Sequence, residues 1–300
     1  MKYKILIFSL RAIAHLPLAV LYAASSALWP VLYYIIRYRR KVTRQNLQRS
    51  FPEKDLKVIK HIERQFYRHL CDIVVEIVKT LHISDRQMQR RISISGLDII
   101  EEAAANGHPV FLLSGHYGNW EWSGEVARRM KSPKIRGFIY EPLASKTFDQ
   151  MMIAVRKFYK TMLIPMKKAA RTALQLKREH KSYFIGFIAD QRPSRHSLRH
   201  WTTFLNQDTP YMVGAEELGR HADAVCLYVH MEQPRRGYYN ISIERLQPVA
   251  DEEYPYTVAY LRRLEQDIRE APHLWLWTHK RWKHKRVLCK QSEQSSSEEL

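Results

Sequence analysis

Residues 110–121, Val-Phe-Leu-Leu-Ser-Gly-His-Tyr-Gly-Asn-Trp-Glu, decide how the chain is read. Val110 to Ser114 carries no charge and suits a strand buried on both faces, the kind found in parallel sheets covered by helices. Gly115 and Gly118 then bracket His116, and a helix is expected from Asn119 or Trp120, with Asn119 as its N-cap. In an open α/β sheet, ligands sit beyond the carboxyl ends of the strands, which is where this histidine falls. The glycines allow the backbone to pass close to a substrate, and free N–H groups near Gly115 and Gly118 are placed to hold an oxyanion. His116 has the intrinsic acidity of a general base at neutral pH, and Glu121 is placed to fix its tautomer and offset the imidazolium charge. Such a pair removes the proton from a hydroxyl as its oxygen attacks a carbonyl. The bland alternative is a histidine that serves only the fold. With 14 histidines and 30 acidic residues in 300, the bare His-x-x-x-x-acid spacing arises by chance. Context lifts it: the strand before, the two glycines and the helix after. On a continuous helix five residues turn a side chain by about 500°, some 140° off face, so the two groups meet only across a turn.

Outward from this segment, short apolar runs alternate with helical stretches. The runs are Val110–Ser114, Ile135–Tyr140, Tyr183–Ala189, Val225–Met231 and Tyr239–Arg245. Helical patterns fall near Trp120–Met130, Ala144–Lys160, Ala169–Glu179 and Met212–His221. A long amphipathic helix over Glu53–Leu81 places Ile59, Ile62, Phe66, Leu70, Ile73 and Ile77 on one face. The pattern predicts an α/β fold with a central, mainly parallel or mixed sheet flanked by helices. Asp190 and Gln191 follow the third run, again at a strand's carboxyl end, so both are candidates for the site; an aspartate that merely caps the next turn is the competing reading.

The N-terminus adds a second feature. Ala12 to Ile36 holds no Lys, Arg, Asp or Glu, and 25 residues at about 1.5 Å rise cross a hydrocarbon core of roughly 30 Å. The stretch is longer than a signal peptide's apolar core, so an uncleaved anchor is expected, kinked or re-entrant at Pro17 and Pro30. Arg37, Arg39, Arg40, Lys41 and Arg44 follow it, which by the positive-inside rule puts the rest of the chain in the cytoplasm by a narrow margin. The expected division is an anchor over 1–40, a catalytic domain over 41–290 and a disordered tail over 291–300.

Composition excludes whole classes. Hydrophobic residues make up 45% and charged ones 26%, so the chain is neither disordered nor a multi-span membrane protein. Three scattered cysteines, Cys71, Cys226 and Cys289, exclude a disulfide scaffold and a zinc site. His221, Cys226 and His230 lie near one another, but core packing accounts for them, and no metal is expected. A net charge of +19 calls for an anionic neighbour. Nucleic acid is disfavoured, because the basic residues are spread along the chain, no recognition module is present and the apolar N-terminus has no place in that reading. Gly-x-Ser-x-Gly is absent, which disfavours a serine hydrolase. Lys280, Arg281, Lys283, Lys285, Arg286 and Lys290, interleaved with Trp275, Trp277 and Trp282, suit a membrane interface or, alternatively, a solvated face over core tryptophans.

The segment FLLSGHYGNWEWSG resembles the active-site block of the lipid A biosynthesis acyltransferases, the late lauroyl and myristoyl transferases. Further blocks follow in family order: RQNLQRSFPE (44–53), YEPLASKTFDQMMIAVR (140–156), GFIADQRP (186–193), TFLNQDTPYMVGAEEL (203–218) and PHLWLWTHKRWK (272–283). The resemblance implies a glycerolipid-acyltransferase-like fold, an acyl carrier protein thioester as donor and a lipid A precursor hydroxyl as acceptor. It implies His116 and Glu121 as catalytic dyad, with Gly115, Gly118, Asn119, Arg156, Asp190 and Gln191 around the substrate. It also implies an inner-membrane enzyme beside anionic lipids, with no cofactor and no acyl-enzyme. A glycerophospholipid or aminolipid acceptor is the alternative. Three positions depart from the family's pattern: Glu141 stands where a basic residue is common, Asn206 where glycine is common, and His273 where an acidic residue is common.

Overall fold

A computed structural model describes residues 2–179 and 182–286. The expected tail over 291–300, Cys289 and Lys290 lie outside the described residues.

The chain opens with helices α1 (Lys2–His15) and α2 (Leu18–Pro30), separated by Pro17. A wide π-helical turn, Val31–Ile36, continues α2, and Leu18–Ile36 together are long and apolar enough to cross a membrane. Helix α3 (Arg40–Ser50) leads to α4 (Leu56–Lys79), which starts where Asp55 accepts a hydrogen bond from the Val58 amide at 2.8 Å. Ile59, Ile62, Phe66 and Ile73 form the buried stripe of α4 that its spacing predicts.

A seven-stranded sheet forms the centre. Its strands are β1 (Ile92–Ser95), β2 (Val110–Ser114), β3 (Arg136–Tyr140), β4 (Met162–Pro165), β5 (Phe184–Ile188) and the hairpin β8 (Val225–Arg235) and β9 (Tyr238–Arg245). Their order is β1-β9-β8-β2-β5-β3-β4, with every neighbouring pair parallel except β8–β9. A separate antiparallel hairpin joins β6 (Trp201–Phe204) to β7 (Gln207–Pro210). Leu205 and Asn206 turn it with φ of 50° and 59°, the left-handed region that glycine favours and asparagine tolerates. Between strands run α5 (Asp85–Arg91), α6 (Leu97–Ala105), α7 (Glu125–Arg129), α8 (Lys146–Arg156), α9 (Ala169–Glu179), α10 (Gly214–Ala222) and α11 (Pro255–Glu270).

All five residues of β2 are buried, as a strand inside a covered parallel sheet requires. From β2 the chain crosses to β3 on one side, and from β5 it crosses to β8 on the other. The carboxyl ends of β2 and β5 therefore border the crevice where the connections diverge. The helix expected from Trp120 is shorter than its pattern suggests. Asn119 caps a 3-10 turn, Trp122–Gly124, and regular helix begins only at Glu125. Gly124 sits so close to the Tyr159 ring that a Cβ there would meet it at 2.7 Å.

Candidate active site

In the parallel ladder of β2 and β5, Ser114 lies opposite Ile188. Two residues beyond each come His116 and Asp190, and a period of two brings both to the same side. The His116 ring donates from Nδ1 to Asp190 Oδ1 at 2.7 Å, and its backbone N–H donates to Oδ2 at 2.9 Å. Trp275 adds an indole N–H to the same Oδ2 at 2.8 Å. Burial pushes the Asp190 carboxyl up, but the His116 charge and hydrogen bonds and the Trp275 donor outweigh it and hold the group below its ordinary value. An ionised carboxylate only accepts, so this network assigns the proton to Nδ1 and leaves a lone pair on Nε2. Gln191 Nε2 lies 3.2 Å from Nε2 and 3.4 Å from Nδ1, so its amide sits over the face of the ring and leaves the in-plane lone pair open to the cleft.

The loop carrying His116 is held from two sides. The C-terminal segment pairs with it: the Gly118 amide donates to the Leu274 carbonyl, and the Leu276 amide to the His116 carbonyl, both at 3.0 Å. From α4, buried Glu76 accepts from Asn119 Nδ2 at 2.6 Å and from Tyr239 at 2.8 Å, and burial raises its carboxyl to about 7. His69 meets the Gly118 carbonyl at 3.2 Å, and burial depresses this imidazole to about 3. Gly118 has φ +58°, and a Cβ there would stand 2.5 Å from the Met231 sulfur. At Gly115 a Cβ would meet Leu264 at 2.9 Å. Both glycines thus answer to the protein's own packing.

Glu121 points elsewhere. The hydrogen bond expected from it to His116 is not formed; Asp190 makes that bond. Glu121 instead takes a bidentate pair from Arg156, Nε to Oε2 at 2.9 Å and Nη2 to Oε1 at 2.7 Å. The physical reason is the ladder: His116 is drawn to the neighbouring strand end, while the turn after Gly118 carries Glu121 toward α8. Three of the backbone amides around the expected oxyanion position are already engaged. The amides of His116, Gly118 and Asn119 are committed to Asp190, Leu274 and the Met231 sulfur. Asn119 is fully buried, a brace of the loop.

A cleft of about 650 Å³ opens above the histidine, lined by His116, Gln191 and Arg156 and ringed by Arg192, Arg195 and Lys283. Glu141 is the acidic member of this rim. Ile139, Met166, Ile188 and Met212 are shared with a second cavity of about 610 Å³, which is chiefly apolar and runs between α9 and α10 past Ala170, Leu174 and Leu218. Among the described residues, no three His, Cys, Asp or Glu side chains group to hold a metal ion.

The C-terminal tryptophans are core residues rather than interfacial ones: Trp275 and Trp277 are buried. Beside them Arg281 is 1% exposed, and none of its Nε, Nη1 and Nη2 atoms has a hydrogen-bond partner among the described residues. Burial lowers its guanidinium to about 10 against the attraction of Asp190 and Tyr260. Trp275 and Arg281 were not legible as site residues, because the only sequence signal they carry is membership of a basic, aromatic run.

A family model described as bacterial lipid A biosynthesis acyltransferase matches residues 2–284. The lipid A biosynthesis palmitoleoyltransferase of Escherichia coli (strain K12) is 22% identical over 275 residues, covering 91% of this chain and 88% of that protein. A lipid A biosynthesis acyltransferase of Shigella flexneri is similar to the same extent.

Proposed function

The chain belongs to the bacterial lipid A biosynthesis acyltransferase family and is an acyltransferase; from that premise we propose that it moves a fatty acyl group from an acyl carrier protein thioester to a hydroxyl of a lipid A precursor. The observation that carries this reading is the His116–Asp190 pair standing where a cationic cleft meets an apolar groove. The cleft offers arginine and lysine to phosphates, and the groove, within the roughly 300–1,000 Å³ usual for small-molecule sites, offers an apolar lining to the acyl chain.

In this mechanism the acceptor hydroxyl approaches Nε2 of His116 from the cleft, beside the Gln191 amide that lies over the ring. Nε2 takes the hydroxyl proton as the oxygen bonds to the thioester carbonyl carbon. Asp190 keeps Nδ1–H in place and balances the imidazolium. Arg156, held rigid by Glu121, has Nη1 outside its carboxylate pair and lines the cleft, which suits it to the oxyanion or to a substrate phosphate. Collapse of the tetrahedral intermediate breaks the C–S bond, and the imidazolium returns the proton to the leaving thiolate. The thioester is activated enough that no covalent enzyme intermediate and no cofactor are required. The catalytic domain then faces the cytoplasm on the inner membrane, as a cytoplasmic acyl donor and a lipid acceptor require, and the exposed apolar face of α1 and α2 supports membrane attachment.

Purified protein incubated with acyl carrier protein thioesters and a phosphorylated lipid A precursor tests this. A product heavier by one acyl chain is expected. Acylation of glycerophospholipid or aminolipid alone, or hydrolysis alone, overturns the acceptor.

A further inference from the structure

Helices α1 and α2 have two unlike faces. Outward they expose Phe8 (76%), Val20 and Leu28, and the π-turn that continues α2 exposes Val31, Ile35 (74%) and Ile36. Inward they are tied to the globular part by polar bonds. Tyr22 Oη donates to Glu76 Oε1 at 2.7 Å, and Ser25 Oγ to Asp72. Arg236, at the β8–β9 turn, donates to the Tyr22 carbonyl at 3.1 Å and to Ser26 Oγ at 3.0 Å while pairing with Asp72. Lys79 closes the end of α1, donating to the carbonyls of Ala14 at 2.7 Å and Leu16 at 3.0 Å.

A helix that crosses a bilayer meets lipid all round or other spanning helices. Here the partners are charged groups of α4 and a surface hairpin. Were α2 to span while docked, Asp72, Glu76 and Arg236 would sit at hydrocarbon depth, and α4, with Lys57, Lys60, Arg64 and Arg68, would follow them. Were it to leave the domain, those groups would lose their buried partners. Helix α1, at 14 residues, falls short of the roughly 20 that a span needs.

The geometry points to a monotopic enzyme: α1, α2 and the π-turn lie along an anionic bilayer surface by their outward face, with the start of α1 on the same side as the catalytic domain. Charge complementarity argues for an anionic surface. Directly after Ile36, Arg37, Arg40, Lys41 and Arg44 line a cavity of about 520 Å³ that suits lipid headgroup phosphates. Arg40 and Arg44 are partly neutralised by Glu63, which leaves Arg37 and Lys41 as the exposed charges lining that cavity. The same membrane reaches the active site: α1 touches α8, whose Phe148 is exposed, and Leu143 in the loop before α8 is exposed at the cleft. This placement stands whichever lipid is the acceptor.

Full-length protein with an N-terminal epitope, expressed in bacterial membranes, provides the test. Protease added to spheroplasts is expected to spare the epitope and the catalytic domain, and protease added to inside-out vesicles to remove both. Loss of the epitope from spheroplasts while the domain survives overturns the monotopic placement. With purified protein, Arg37→Gln/Lys41→Gln is expected to weaken partition onto phosphatidylglycerol vesicles about 25-fold, at about fivefold per basic residue. Unchanged partition overturns the headgroup assignment.

Discussion

Replacing Asp190 with asparagine separates the two carboxylates as partners of His116. Oδ2 of Asp190 accepts two N–H groups, from the His116 backbone and Trp275, whereas Oδ1 accepts one, from the imidazole. An asparagine keeps the most hydrogen bonds by placing its oxygen on the two-donor side. Its NH₂ then faces Nδ1, which must become an acceptor, and the ring proton moves to Nε2. That tautomer has no lone pair toward the cleft, so the base is lost while the fold is kept. General-base catalysis is worth about 10²–10⁴, and a complete tautomer switch belongs at the upper end, about 10³–10⁴ in kcat or about 4–5.5 kcal/mol. The assay is initial-rate acyl transfer by Asp190→Asn and Glu121→Gln proteins, with melting temperatures and substrate KM measured alongside. The account expects Asp190→Asn to lose activity through kcat with little change in KM. Asp190→Asn within about tenfold of wild type, with Glu121→Gln inactive, would refute the reasoning, because general-base catalysis of this size would then rest on Glu121.

Glu121 and Arg156 act as one unit, so Glu121→Gln combined with Arg156→Gln is expected to cost little more activity than the worse single change; additive losses in a double-mutant cycle would contradict this. Ala170→Trp fills the groove between α9 and α10 and is expected to shift product toward shorter acyl chains in a donor competition, with unaltered chain selectivity counting against the groove. For His69, whose folded value of about 3 lies below its ordinary 6.5, the neutral form is the one the fold prefers. Its contribution is present above pH 6.5 and lost as pH falls through 3, by as much as about 4–5 kcal/mol. Glu76, raised to about 7, runs the other way: its contribution is present below its ordinary 4.5 and lost as pH rises through 7. Urea unfolding of wild type and His69→Gln between pH 4 and 7 isolates the first effect, and the variant is expected to lose less stability on acidification. Arg281→Met is expected to move the acid limb of the rate–pH profile upward, since it removes a buried cation that attracts Asp190; Arg281→Lys is expected to restore it.

The sheet was largely legible because its inner strands are apolar runs or, in β9, apolar residues alternating with polar ones. β2, β3, β5, β8 and β9 all fall where those runs predict. β1, with the sequence Ile-Ser-Ile-Ser, and β4, which ends at Pro165, are four-residue strands whose pattern is too short to stand out. Helix α11 carried a readable signal, with Pro255 at its first turn and Val258, Leu261, Leu264 and Ile268 at helical spacing. His116 and Asp190 were each legible as residues at strand ends. Their partnership was not, because it depends on the register of two strands 74 residues apart in sequence. The five-residue spacing to Glu121 is visible in the sequence, yet the left-handed turn at Gly118 sends that side chain to Arg156.

The central claim is tested most directly by mass spectrometry of total lipid A from cells that carry the gene, lack it, or carry His116→Ala. The account predicts that lipid A lacks one acyl chain without the gene, that wild type restores it, and that His116→Ala does not. Restoration of the full profile by His116→Ala would contradict the account.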